Sequence, residues 1–90
     1  MKFEKNNVRV REVVFEPGVP RPSYTRPTDQ IVVFLDDCRF ERVDAVTGER
    51  LLRERKSGEV LWHDKGELAP TLINAGSTPY RTLLIELFDD

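Results

Sequence analysis

Apolar residues along this chain fall in short runs, and turn-forming residues interrupt every run. Val8 to Glu16 sets Arg9, Arg11 and Glu12 among Val8, Val10, Val13, Val14 and Phe15, and Glu16-Pro17-Gly18 stops it. The stretch 19–27 holds Pro20, Pro22 and Pro27. It is extended but cannot be a central strand, because proline donates no ladder hydrogen bond. Ile31-Val32-Val33-Phe34-Leu35 is wholly apolar and rich in β-branched residues, the pattern of a strand buried on both faces. Asp36-Asp37 turns the chain into Cys38–Val43, which alternates with period two. Thr47-Gly48 marks a hairpin loop, Leu51–Arg55 returns as a polar, edge-like strand, and Lys56-Ser57-Gly58 turns again. Val60–Trp62, Thr71–Ile73 and Tyr80–Phe88 are the remaining strands, set apart by Lys65-Gly66-Glu67 and Asn74-Ala75-Gly76. Nowhere do apolar positions recur at i, i+3, i+4 and i+7 over a dozen residues, so no long helix is predicted. Strands every ~8–12 residues with turns between them predict an all-β sandwich or barrel.

Ninety residues make one domain, 1–90, with a thin core, since a chain this short buries only roughly 60–65% of its unfolded surface. Fourteen Lys and Arg against sixteen Asp and Glu give a net charge of −2, so no basic field for nucleic acid is expected. The Ile31–Leu35 run is the longest apolar one and falls far short of the ~20 residues of a membrane span. The start, Met-Lys-Phe-Glu-Lys-Asn-Asn, has no apolar segment of a secretory signal. Cys38, the only cysteine, cannot form an internal disulfide, and the cytoplasm is the expected location.

The glycines and turns match a known pattern. In its strand spacing and its Gly18 and Gly58 registers the chain resembles the cupin superfamily. The first cupin motif reads G-x5-H-x-H-x3-E-x6-G. Started at Gly18, its histidine positions fall on Tyr24 and Arg26, its glutamate on Gln30 and its last glycine on Asp37. The second motif reads G-x5-P-x-G-x2-H-x3-N. Started at Gly58, its proline falls on Asp64 and its glycine on Gly66. Its histidine position is Ala69, or Pro70 with one residue inserted, and the insertion puts Asn74 on the asparagine. The resemblance covers residues 8–88 and implies a small jelly-roll β-barrel of the cupin type. It also implies that the metal ligands of the family are replaced. Arginine has no lone pair to donate, a glutamine amide is a weak ligand, and tyrosine titrates near ~10. No metal cofactor is therefore expected.

What can stand in the pocket follows from side-chain parity. Tyr24, Arg26 and Gln30 are all even-numbered, so an unbroken extended segment points them the same way, into the barrel mouth. A guanidinium there can clamp a carboxylate or phosphate through two parallel hydrogen bonds, or pair internally with Asp29, Asp64 or Glu67. His63, the only histidine, is an acid–base candidate beside Asp64, or a structural or exposed residue. Trp62 reads first as core and second as a stacking wall for a ligand. Cys38 reads as a small core residue whose neighbouring aspartates raise its pKa. The cluster Arg50, Arg53, Arg55, Lys56 reads as a solvated hairpin face.

Three functions fit. The first is a metal-free cupin that binds a small anionic metabolite through Tyr24, Arg26, Gln30, Trp62 and His63. The second is a cupin enzyme of the dioxygenase, isomerase or decarboxylase class. The third is a structural or regulatory subunit. A homodimer is expected, built by strand addition at an exposed edge such as Val8–Phe15. There is no Ser-His-Asp order, no glycine-rich phosphate loop and no cysteine-rich metal spacing.

Overall fold

The computed structural model describes residues 2–88 and is built from strands, with no helix among the described residues. The strands are β1 (Lys2–Lys5), β2 (Val8–Phe15), β3 (Pro20–Arg21), β4 (Tyr24–Thr25), β5 (Asp29–Phe34) and β6 (Cys38–Val43). They continue as β7 (Arg50–Arg55), β8 (Val60–His63), β9 (Leu68–Ala69), β10 (Thr71–Asn74) and β11 (Tyr80–Leu87). One sheet runs β1-β2-β11-β5-β8, the other β3-β10-β6-β7, and β4 pairs with β9 across the mouth. All the strand pairs are antiparallel. This is the jelly-roll barrel that the sequence predicts.

Two sequence expectations change. The run Ile31–Leu35 is not buried on both faces. In β5, Gln30 and Phe34 are buried, whereas Ile31 and Val33 lie on the outward face and are only half-buried. The second change concerns the edge. β2 is an edge over only part of its length: β11 pairs with all of Val8–Phe15 on its inner side, whereas β1 covers its outer side over Val8–Arg11. The polar residues of Lys2–Lys5 carry no strand signature of their own, so only pairing with β2 reveals β1.

The core holds the two layers together through aromatic rings. Phe34 and Tyr80 come from the five-stranded sheet, and Phe40 from the four-stranded sheet stands 6.3 Å from each. Phe15 stacks on Tyr80 with centroids 4.7 Å apart. Cys38 packs against this cluster and is partly buried, close to the core role read from the sequence. Burial pushes its thiol up to about 11, with Glu59 and Asp36 adding to the effect, so it is no nucleophile at neutral pH.

Two turns fix the ends of these strands. Asp44 accepts hydrogen bonds from Val46 and Thr47 at 2.8 Å each, and Gly48 takes a φ of 75° to close the β6–β7 hairpin. Asn74 is buried and serves three bonds. Its Nδ2 donates to Phe15 O at 2.8 Å and Thr78 O at 2.9 Å, and its Oδ1 accepts from Gly76 N at 2.8 Å. One side chain thereby ties the turn before β11 to the end of β2.

Candidate functional site

Between the two sheets lies a cavity of about 780 Å³. Strand pairing decides what faces it. Register aligns Arg9, Glu86, Gln30 and His63 in one row across β2, β11, β5 and β8, so all four share the inward face. The next inward row is Arg11, Leu84, Val32 and Leu61. The floor is apolar, with Phe15, Phe34, Phe40, Leu61, Leu72 and Tyr80.

Tyr24, Arg26 and Gln30 meet at this mouth despite the prolines around them. Arg26 Nη1 donates to Gln30 Oε1 at 2.8 Å and to the Tyr24 hydroxyl at 3.4 Å, and that hydroxyl donates to Gln30 Oε1 at 3.3 Å. Gln30 is 1% exposed and Arg26 6%. The Tyr24 ring lies under two guanidiniums, Arg21 at 5.2 Å and Arg26 at 5.7 Å.

Arg26 forms no salt bridge among the described residues, and its buried Nε has no hydrogen-bond partner. The three carboxylates that the sequence offered are engaged elsewhere. Asp29 accepts from Lys65 N, Asp64 from the Trp62 indole N–H, and Glu67 from Asp64 N while facing His63 Nδ1 at 3.7 Å. The internal ion pair read from the sequence is therefore not formed.

His63 points inward and its partner is Glu67 rather than Asp64. Burial holds its imidazole below the ordinary value of 6.5, the Arg26 charge lowers it further, and Glu67 opposes both. A folded value below the unfolded one means that stability is complete above pH 6.5 and is lost as pH falls through the folded value. The single imidazole makes this measurable. A proton NMR titration is expected to give a midpoint below 6.5 that rises toward 6.5 in Arg26→Gln. An unchanged midpoint in that variant would place Arg26 too far away to act on His63.

Trp62 corrects the core reading. It stands at the cavity edge on the outward face of β8, is 54% exposed, and donates its indole N–H to Asp64 at 2.9 Å. Ala69 is fully buried opposite Tyr24, whereas Pro70 lines the cavity and its carbonyl accepts from Arg21.

Sequence reasoning missed most of the positive charge. Arg11, Arg21, Arg42, Arg53 and Arg55 line the cavity together with Arg26. Arg53 and Arg55 belong to the hairpin face read as solvated; Arg50, Arg53 and Lys56 are exposed as expected, but register puts Arg53 and Arg55 on the cavity side of the sheet, opposite Phe40 and Cys38. Their odd parity along Leu51–Arg55 was the available signal. Buried Glu86, 2% exposed, answers Arg9 at 2.9 Å and Arg11 at 3.2 Å. Among the described residues lining the cavity, Glu67 is the only carboxylate.

No set of three or more His, Cys, Asp and Glu side chains converges among the described residues. The side chains that do converge at the mouth fit a divalent metal poorly. A buried guanidinium has no lone pair and repels a cation, and the amide oxygen beside it is already shared by two donors.

No protein-family model and no curated protein sequence matches the chain. Solved structures do match it. A cupin domain from Bordetella pertussis Tohama I superposes with a TM-score of 0.82 at 18% identity, over 97% of this chain and 88% of that one. The Cupin_2 domain of an XRE-family transcriptional regulator from Enterobacter cloacae gives 0.69 at 14% identity, over 93% and 84%. An oxalate oxidase in complex with the substrate analogue glycolate gives 0.67 at 18% identity; the match covers 93% of this chain but 43% of the oxidase. The fold thus has both enzymes and a regulator domain among its neighbours.

Proposed function

We propose that this barrel of the cupin fold is a binding module that holds a small anionic metabolite through Arg26, without a metal. The observation that carries the reading is a guanidinium 94% buried (6% exposed) with no carboxylate partner among the described residues, beside a cavity of ligand size. A buried charge needs a counter-ion, and no carboxylate among the described residues forms a salt bridge with this one; Glu67, on the cavity lining, faces His63 instead. Tyr24 and Gln30 orient the guanidinium through Nη1, and Arg26 itself lines the cavity. His63 stands in the same layer and is kept neutral near pH 7, which leaves it able to offer or accept one hydrogen bond to a ligand.

A thermal-shift screen of carboxylates and phosphate esters tests this, because a ligand that binds the folded state raises the melting temperature by mass action. Ligands that stabilise the wild type are expected to lose that effect in Arg26→Gln. A ligand that shifts both proteins equally places binding elsewhere. The enzyme alternative finds one acid–base pair in the pocket, His63 and Glu67. Turnover of a bound ligand that disappears in His63→Gln, with affinity retained, would favour it.

The homodimer belongs to the same proposal, moved from an edge to a face. Outward side chains of the five-stranded sheet form an apolar band that includes Ile31, Val33, Leu83 and Ile85, with Val14 and Val60 more exposed. Such a band suits a second copy of itself. Light scattering at micromolar concentration is expected to give twice the chain mass, and Val14→Glu with Val60→Glu to give the monomer. A monomeric wild type would end this part of the proposal.

A further inference from the structure

The cavity holds more positive charge than one acidic group can answer, and that charge lies on two flanks. On the first flank stand Arg26, from the mouth, and Arg21, from β3. Each has a buried Nε with no hydrogen-bond partner. Burial lowers the pKa of the Arg21 guanidinium, against the pull of Tyr24, and Arg26 lowers it further. On the second flank stand Arg42 of β6 and Arg53 of β7, near neighbours on the inward face: Arg42 pairs with Leu51, two residues before Arg53. Neither forms a salt bridge with a described residue. Arg55 lies beyond Arg53 on the same face, 3.8 Å from Glu59, and its buried Nε is also without a partner.

Register fixes the separation of the flanks. Arg21 pairs with Leu72, and Leu72 pairs with Arg42, so the two arginines are two strand spacings apart, roughly 10 Å between backbones. Leu72 between them is apolar, as is the floor below. A compact anion held at one flank leaves the arginines of the other flank unanswered across that apolar strip. An elongated molecule with an acidic group at each end and an apolar body between them answers both.

We infer that the ligand class of this pocket is an elongated dianion, a dicarboxylate or its equivalent, one end held by Arg21 and Arg26 and the other by Arg42 and Arg53. This inference rests on the reading of the pocket as an anion site and names what that site selects. Arg42 and Arg53 are the specificity-determining residues, because they are the ones a monoanion leaves unused.

Calorimetric titration with matched pairs tests it: hexanoate against adipate, octanoate against suberate, and benzoate against terephthalate. In wild type the best diacid is expected to bind at least roughly tenfold more tightly than its monoacid, the worth of one added charge-assisted contact. Arg53→Gln or Arg42→Gln is expected to remove that preference while leaving monoacid affinity unchanged. Both side chains are exposed, so neither change threatens folding. Arg26→Gln is expected to weaken both classes. Equal affinity for mono- and diacids, with binding still dependent on Arg26, overturns the dianion and leaves the anion site standing. Binding of neither class by wild type, or binding unaffected by Arg26→Gln, overturns both.

Discussion

Replacing Phe40 by alanine is expected to destabilise the protein by about 3–5 kcal/mol, the usual cost of emptying a buried aromatic site. For a domain of this size that lowers the melting temperature by at least roughly 12 °C. The reason is position. Phe40 is the ring of the four-stranded sheet that reaches the five-stranded sheet, 6.3 Å from both Phe34 and Tyr80. Its loss leaves Phe34 without its stacked partner and opens the floor of an already large cavity, so the neighbours have little to collapse onto. A chain of 90 residues has a total stability of only about 5–14 kcal/mol, and this one change removes a large part of it. Val46→Ala, at a loop position 82% exposed, is the control and is expected to stay within about 0.5 kcal/mol. Circular dichroism melts decide the matter. A Phe40→Ala melting point within a few degrees of wild type would mean that the aromatic contacts do not join the layers.

The fold was legible because strand signals are local. Cys38–Val43 coincides with β6, and the seven strands read from patterning all exist, with ends off by up to two residues. What escaped was non-local. β1 is recognisable only by pairing with β2, and the two-residue strands β3, β4 and β9 are too short to carry a period. Ile31–Leu35 looked doubly buried because an apolar outward face reads the same whether or not the described chain itself covers it. The site was half legible. Tyr24, Arg26 and Gln30 do meet, but the chain bends at Pro27 and Thr28 between β4 and β5, so the unbroken extended segment assumed by parity is not what brings them together. Arg21, Arg42 and Arg53 were not found, because which way a charged residue on a strand faces depends on the register of its neighbours.

Replacing Arg26 by methionine is expected to abolish anion binding and, in the ligand-free protein, to raise stability. The two effects have one cause. Arg26 keeps a full positive charge in a mouth where it is 6% exposed, with no salt bridge among the described residues and a second guanidinium, Arg21, on the same Tyr24 ring. Burying such a charge costs several kcal/mol. Against that stand two hydrogen bonds, to Gln30 Oε1 at 2.8 Å and to the Tyr24 hydroxyl at 3.4 Å, the second long enough to be weak, and a cation–π contact with the Tyr24 ring at 5.7 Å, which the like charge of Arg21 on the same ring offsets. A good charge-assisted bond contributes about 1.5–3 kcal/mol, so the desolvation cost wins by about 1 kcal/mol or more. Methionine fills a similar volume without charge, and the Tyr24 hydroxyl still reaches Gln30 Oε1 at 3.3 Å. The melting temperature is therefore expected to rise by at least roughly 4 °C. The sign separates the two readings of this residue. If Arg26 were a structural clamp for Tyr24 and Gln30, its removal would leave a buried amide under-satisfied and lower the melting point by a comparable amount. A rise, together with loss of the ligand-induced shift, identifies an arginine kept for its ligand at the expense of stability. A fall, with ligand response intact, would return Arg26 to the scaffold and move the anion site to the remaining arginines of the cavity.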